Sequence, residues 1–227
     1  MSHNKRVDAT AQAAPLGEEV WAEKRRLATA LRRILELVTT TAAPEDELRV
    51  AADRVERWAT QLEKQPRHFV SWMEPDAAIS DAVGGLVDLS PLKGLANPLA
   101  APMRLWIDGN MVRGAVNFGW AYQGPPGHLH GGFVAAMFDE ALGMVQSLTG
   151  RPGMTGTLLI RYRKPTPLNT DLRLEAVVRR VEERKIFTEA RVYAGETLTA
   201  EGEAIFISAR PVTMPGLMRT GTGITEQ

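Results

Sequence analysis

The predicted fold is organised around residues 127–144, GHLHGGFVAAMFDEALGM. Turn-forming glycines and prolines at residues 124–127 come first, and two histidines and two glycines follow them. An apolar run then begins, with the carboxylates of Asp139 and Glu140 inside it. Chain breakers before an apolar run of helical period indicate a loop that opens into a helix.

The predicted helix has two different faces when it is wound at 100° per residue. One face is an apolar stripe typical of a helix packed on a core: Val134, Met137, Ala141, Met144, Val145 and Leu148. The other face has small residues and two polar ones: Gly132, Ala136, Asp139, Gly143 and Gln146. Small residues let a backbone, a subunit or a narrow substrate approach closely. We therefore expect Asp139 to face a tight contact, where its carboxylate is a candidate for chemistry.

Two further helices are predicted near the N-terminus. Apolar residues recur at helical spacing from Glu18, and an acidic first turn at residues 45–47 begins a second helix that Pro66 ends. The pair could form a helical hairpin, or lie on the main domain or on a partner subunit. We predict a flexible arm at 1–17, the helical pair at 18–66 and an irregular connector at 67–102.

The hydrophobic period changes to two after the connector. Asp108-Gly109-Asn110 separates two alternating runs, which is a hairpin signal. Four runs rich in β-branched residues follow the predicted helix, and we expect them to form an antiparallel meander: 155–162, 171–181, 186–193 and 197–208. The fold class is therefore α+β, a curved sheet that buries one helix within residues 103–210, followed by a loose tail at 211–227.

Composition excludes several functional classes. The chain has 27 basic and 27 acidic residues, so no overall field attracts it to nucleic acid or to an anionic membrane. It has no cysteine, which removes thiolate nucleophiles, cysteine-bound metals and disulfides. Only four histidines occur, and no third ligand accompanies the pair His128 and His130, so no metal is expected.

The sequence also lacks the patterns of membrane-spanning segments and of several common enzyme classes. No apolar run reaches the roughly 18 residues that span a bilayer, and residues 1–6 precede no apolar signal core. We expect a cytoplasmic protein without a membrane span. Serine-hydrolase, P-loop and Rossmann motifs do not occur in the sequence.

The residues around the helix resemble a known family, the hotdog-fold acyl-CoA thioesterases of the PaaI-like, phenylacetate-pathway type. The loop Gly-Pro-Pro-Gly-x-x-His-Gly-Gly is present at residues 124–132, and Asp139 follows His130 by nine positions. Thr155 opens the next strand, which ends in Tyr162-Arg163-Lys164-Pro165-Thr166-Pro167. The resemblance covers about residues 88–209 and does not include the N-terminal helices.

The resemblance implies a hotdog fold, in which an antiparallel sheet wraps a long central helix, and hydrolysis of acyl-CoA to free acid and CoA. Two subunits would pair sheet edges into a homodimer, or into a dimer-of-dimers tetramer, with active sites at the interface. Coenzyme A is then part of the substrate, and no separate cofactor is expected. Acyl length, and CoA or acyl carrier protein as the carrier, stay open.

The resemblance also implies roles for individual residues. The carboxylate matching Asp139 acts as general base or nucleophile on the thioester, and backbone N–H groups around Gly131 and Gly132 hold the carbonyl oxygen. The hydroxyl matching Thr155 comes from the other subunit's side of the site and positions water or the carboxylate. The residue matching His130 shapes the loop or contacts the thioester.

The sequence also suggests residues that bind the substrate and a need for two subunits. His128 is predicted at the rim of the site, whereas Arg161, Arg163 and Lys164 either seat the coenzyme's phosphates or are solvated charges. Asp139 lies roughly 10 Å along the helix from the glycine pair, which is long for one carbonyl to contact both in a single chain. A carboxylate from a partner subunit resolves this, so we expect the dimer to be required for function.

Two alternatives remain open from the sequence. A hotdog dehydratase or hydratase acting on acyl-ACP or enoyl-CoA needs a histidine and a carboxylate, for which His130 and Glu140 are candidates. Glu140 is also the rival of Asp139 in a thioesterase, but it lies nearer the helix flank, where a structural ion pair is the default. A non-catalytic acyl-CoA-binding protein would keep the pocket without turnover.

Overall fold

A computed structural model of the protein describes residues 16–66, 87–101, 103–151 and 153–208. The helices and strands follow in this order: α1 (Glu18–Thr40), α2 (Glu45–Glu63), β1 (Arg104–Asp108), β2 (Met111–Asn117), a short 3-10 helix (Trp120–Tyr122), α3 (Gly131–Ser147), β3 (Gly153–Tyr162), β4 (Asp171–Glu182), β5 (Lys185–Ala194) and β6 (Thr197–Ser208). The predicted N-terminal arm, apart from residues 16–17, most of the connector and the C-terminal tail lie outside the described residues.

The six strands form one antiparallel sheet in the order β1-β2-β4-β5-β6-β3. The hairpin of β1 and β2 is confirmed, with Gly109 at a φ of 62° in its turn. The predicted four-strand meander is wrong in one respect, because β3 pairs with β6 at an edge instead of with β4. Residues 163–170 connect β3 to β4, and because these two strands lie three positions apart in the sheet, the segment carries the chain across the sheet.

Helix α3 is the core element, and it contacts strands β2 to β6. The predicted stripe is buried at Val134, Met137, Ala141 and Val145, while Met144 and Leu148 are partly buried. Phe138 and Leu142 are also fully buried, although they lie outside that stripe. The buried surface is wider than one stripe because the sheet curves around the helix, in agreement with the predicted α+β architecture.

The second face of α3 is only partly as predicted. Gly132 and Asp139 are exposed in the single chain, and Ala136 and Gly143 are half-buried. Gln146 is buried, because its Oε1 accepts a hydrogen bond of 3.1 Å from the N–H of Gly153 at the start of β3. This bond links the end of the helix to the edge strand, and a polar side chain is satisfied at the bottom of the core.

The N-terminal helices begin and end near the predicted positions, but they pack differently from each other. Helix α1 lies on the domain and buries Trp21 and Ala28, whereas α2 buries no residue. Both helices leave large apolar side chains exposed, among them Ile34 and Val55. No helix within the described residues is both long and apolar enough to cross a membrane.

Gly202 on β6 allows the ring of Phe138 to lie directly on the sheet. A Cβ at position 202 would come within 2.6 Å of Phe138 Cδ1. We expect Gly202→Ala to lower the free energy of unfolding by about 1–3 kcal/mol, because the new methyl group would overpack a filled core. Urea denaturation measures this change.

A double-mutant cycle tests whether the Phe138 ring is the cause. In the Phe138→Ala background the truncated side chain lacks the Cγ, Cδ1 and Cε1 atoms that lie nearest to position 202, so Gly202→Ala should cost less there than in the wild-type chain. An equal cost in both backgrounds would contradict this description of the core.

Candidate active site

The loop before α3 is held closed by its own hydrogen bonds. The N–H of Gly124 donates to the carbonyl of His128 at 3.0 Å, and the N–H of Gly127 donates to Oε1 of Gln123 at 2.9 Å. Gly127 has a φ of 75°, a conformation that favours glycine. The loop then joins the preceding 3-10 helix, because the N–H of His130 donates to the carbonyl of Tyr122 at 3.0 Å.

At the N-terminus of α3, one backbone donor is satisfied and its neighbour is free. His130 is the N-cap residue, and its Nδ1 accepts the N–H of Gly132 at 3.0 Å. The N–H of Gly131 has no acceptor among the described residues, while its carbonyl accepts the hydroxyl of Tyr162 at 2.9 Å. Of the two glycine N–H groups that were predicted to hold the carbonyl oxygen, that of Gly131 is thus the one open to a ligand oxygen, because the N–H of Gly132 already donates to His130 Nδ1.

The carboxylate of Asp139 is paired with the Thr155 hydroxyl within one chain. Thr155 Oγ1 donates to Asp139 Oδ1 at 2.9 Å, and both residues are exposed in the single chain. The other carboxylate oxygen has no partner within the described part of the chain. One oxygen of Asp139 is thereby held in place, and the other is available to water or substrate.

The two halves of the predicted site are separated along α3. Asp139 comes eight residues after Gly131, which corresponds to about 12 Å at 1.5 Å per residue. An open cleft of about 340 Å³ lies beside the glycine end and is lined by residues that include Gly131, Val134, Tyr162 and Lys164. Neither Asp139 nor Thr155 lines this cleft. One chain therefore does not bring Gly131 and Asp139 to the same carbonyl group.

A second cleft of about 490 Å³ is lined by the predicted rim residue and by turn residues, among them His128, Lys164, Gly195 and Thr197. His128 Nδ1 donates to the carbonyl of Pro126 at 2.8 Å, which fixes the ring at the rim. Lys164 lines both clefts and has no carboxylate partner among the described residues. It is therefore a cation available to an anionic ligand.

The two predicted arginines differ from Lys164, because each is bound to a glutamate of β6. Arg161 forms an ion pair with Glu203, and Arg163 contacts Glu201 at 2.7 Å. The pKa of the Glu201 carboxyl lies below its usual range, chiefly because Arg163 donates a hydrogen bond to it. These two guanidinium groups would have to leave their partners to bind phosphate.

The rival carboxylate, Glu140, forms the structural ion pair that its flank position suggested. Its Oε1 lies 2.6 Å from Lys93 Nζ, and both side chains are about three-quarters buried. Within residues 16–66, 87–101, 103–151 and 153–208, no three histidine or acidic side chains gather into a group that could hold a metal ion.

Two tyrosines of the site have no role in the sequence-based prediction. Tyr162 appears there only as part of the strand-end motif, and the structure shows it bonded to Gly131. Tyr122 packs edge-on against Phe133, with ring centroids 4.9 Å apart, and its hydroxyl donates to the carbonyl of Leu99. Burial raises the pKa of Tyr122, so the phenol stays protonated as a donor.

Comparison with known proteins identifies the family. The family model described as the thioesterase superfamily matches residues 126–201. A crystal structure of a thioesterase superfamily protein is 32% identical, with a TM-score of 0.67, and the match covers 81% of this chain and 94% of that one. This chain belongs to the thioesterase superfamily. The sheet and its central helix are accordingly a hotdog fold.

Curated relatives of this superfamily member match over a shorter stretch. Acyl-coenzyme A thioesterase THEM4 from Bos taurus is 38% identical over 91 residues, which are 39% of this chain and 37% of that protein. The protein of the same name from Xenopus laevis is 33% identical, over 39% of this chain and 41% of that protein. The chain thus matches about two-fifths of the length of these relatives.

Proposed function

We propose that this protein hydrolyses acyl-CoA thioesters to a carboxylic acid and CoA. The observation that carries the proposal is the carboxylate of Asp139, which Thr155 holds by one oxygen while the other oxygen has no partner among the described residues. Two further facts support it: the N–H of Gly131 on the same helix, which has no acceptor in the part of the chain that the structure describes, and the family to which the chain belongs. The names of the THEM4 relatives point to the same substrate class.

The chemistry follows from these groups. Asp139 takes a proton from water, the oxygen of that water bonds to the thioester carbon, and the carbonyl oxygen becomes negative. An N–H donor such as that of Gly131 stabilises this oxyanion, and losing one such donor typically costs about 3–4 kcal/mol of barrier. The carbon–sulfur bond then breaks, and CoA leaves with the proton. Direct attack by Asp139 through an anhydride is the other route that the same geometry permits.

The separation of about 12 Å between Gly131 and Asp139 means that the proposed site needs two chains. Strand β3 carries Thr155 and ends the sheet, with Met154 79% and Tyr162 57% exposed. An exposed apolar edge strand is a template for pairing with another strand. We propose that two copies pair through β3, so that Gly131 of one chain and Asp139 of the other act on one thioester.

The clefts at the glycine end suggest how the substrate binds. Lys164, which lines both clefts, and His128 at the rim are suited to the phosphates of coenzyme A. Val134 and Leu129 give the smaller cleft an apolar side for the acyl end. Arg161 and Arg163 are weaker candidates because Glu203 and Glu201 already bind them.

The dehydratase alternative has less support. It needs Glu140 and His130 to cooperate on one carbon pair, but Lys93 holds Glu140 and the N–H of Gly132 occupies His130 Nδ1. A non-catalytic binder would show tight acyl-CoA binding without thiol release, and the assay described next distinguishes it.

Asp139→Asn should lower kcat for acyl-CoA by about 10²–10⁴-fold, because an amide cannot accept the proton from water. Release of free thiol from a panel of short, medium, long and aromatic acyl-CoAs measures this. Glu140→Gln is the matched control, since it removes a neighbouring carboxylate that is bound to Lys93, and it should lose far less activity.

The results separate the three functions. Thiol release by the wild-type chain that Asp139→Asn abolishes supports the proposal, whereas equal activity in both contradicts the role of Asp139. Binding without thiol release across the panel would instead identify a binding protein. Absorbance of an enoyl product from a 3-hydroxyacyl substrate would favour the dehydratase.

A proline at position 131 tests the oxyanion donor directly. Gly131 is the first residue of α3, where proline is well tolerated, and His130 has φ −61° and ψ 133°, which suits a residue before proline. Gly131→Pro replaces the N–H by a ring carbon, so the donor is lost, and we expect kcat to fall by about 10²–10³-fold with an unchanged unfolding temperature.

Gly131→Ala is the matched control for this change, because it keeps the N–H and its Cβ would lie 3.4 Å from the Tyr162 hydroxyl, an ordinary contact. Its activity should be much closer to that of the wild type. Similar activity in the proline and alanine variants would show that the Gly131 N–H does not act on the substrate.

A further inference from the structure

Helix α1 lies on the domain through a face that is largely polar. Trp21 and Ala28 are buried on this face, and Arg25 contacts Asp88 at 2.6 Å. Arg32 donates to the carbonyl of Asn97 at 2.9 Å, one turn before Glu36. Other large apolar side chains of the helix are exposed, among them Ile34 at 42%. The position of α1 is therefore fixed by specific polar contacts more than by an apolar stripe.

Glu36, near the C-terminal end of α1, holds the 3-10 helix that precedes the glycine loop. Its two carboxylate oxygens accept the N–H groups of Trp120, at 2.8 Å, and of Ala121, at 3.1 Å. The N-cap residue of this turn, Gly119, provides no side-chain cap. Glu36 supplies the missing acceptors from a separate helix, and each bond is charge-assisted.

The contact requires a glycine at position 119. A Cβ there would come within 2.5 Å of Glu36 Oε2, so any other residue would displace the carboxylate. Glu36 and Gly119 thus form a matched pair, with a carboxylate on one side and the space for it on the other.

The turn that Glu36 holds is connected to the free donor. Tyr122, the last residue of the turn, accepts the N–H of His130 at 3.0 Å through its carbonyl. Its ring packs edge-on against Phe133, in the first turn of α3. The peptide after His130 bears the Gly131 N–H, so a shift of the turn moves that donor as well.

We propose that Glu36 is a positioning residue for the hydrolysis proposed above, acting through Trp120, Ala121 and Tyr122 to aim the Gly131 N–H at the thioester oxyanion. The inference rests on that proposed function. It predicts an effect on kcat more than on KM, because the oxyanion exists only in the transition state. Displacement of a catalytic group by about 1 Å can cost around 100-fold in rate.

The test compares Glu36→Ala and Glu36→Gln with Glu23→Gln as the matched control. Glu23 lies on the same helix and, among the described residues, pairs only with Arg26, in an exposed ion pair, so its variant should keep the wild-type activity. We expect Glu36→Ala to lower kcat roughly 10- to 100-fold with KM within about twofold. The kcat of Glu36→Gln should lie between those of the wild type and Glu36→Ala, because the amide oxygen can accept one of the two N–H groups while the NH₂ group faces the other.

Amide hydrogen exchange gives a readout that is independent of turnover. In Glu36→Ala, exchange at Trp120, Ala121 and His130 should become faster, whereas Leu129, which donates to Thr166, should stay protected. Unchanged kcat in the Glu36 variants, or a rise in KM alone, would overturn the inference.

Gly119→Ala provides a second route if Glu36→Ala folds poorly. It should lower kcat in the wild-type chain and have a smaller effect in the Glu36→Gln background, because the two residues act through one contact. Independent effects would overturn the inference. If the wild type is active and Asp139→Asn is not, a failure of the Glu36 variants to alter kcat leaves the proposed function intact; if Asp139→Asn stays active, the proposed function itself fails.

Discussion

The distance between Gly131 and Asp139 along one rigid helix determines how the proposed active site can be assembled. Helix α3 is buried against five strands and is therefore rigid. Gly131 at its first position and Asp139 eight residues later cannot approach each other. Their separation of about 12 Å exceeds what one carbonyl group can contact. The need for two chains and the proposed division of labour between them follow from this distance.

The sequence predicted the elements well, because each has a clear hydrophobic period or a turn signal. The hairpin around Gly109 and the start of α3 at the glycine pair are confirmed. The position of β3 could not be derived in this way, since strand order depends on long-range pairing with β6 and not on the local pattern. The sequence also could not predict which of the two backbone N–H groups, that of Gly131 or that of Gly132, is open to a ligand, because this depends on the rotamer of His130.

Helix α1 shows a different limit of sequence reasoning. Its apolar periodicity predicted a stripe packed on a neighbour, yet the face that lies on the domain carries Arg25, Arg32 and Glu36. Hydrogen bonds to backbone groups far along the chain leave no periodic signal. Glu36 therefore became visible only when the structure brought it to the turn at Trp120. Through that turn, a helix outside the resemblance is joined to the loop that carries the proposed donor.

The activity of a mixed dimer tests whether each active site is shared between two chains. Asp139→Asn and Gly131→Pro chains, co-expressed with different affinity tags and purified in sequence, yield a dimer with one copy of each. If Gly131 of one chain and Asp139 of the other form each site, this dimer has one intact site and should show about half of the wild-type activity, while both homodimers are inactive. A mixed dimer as inactive as the homodimers would contradict a site shared between chains.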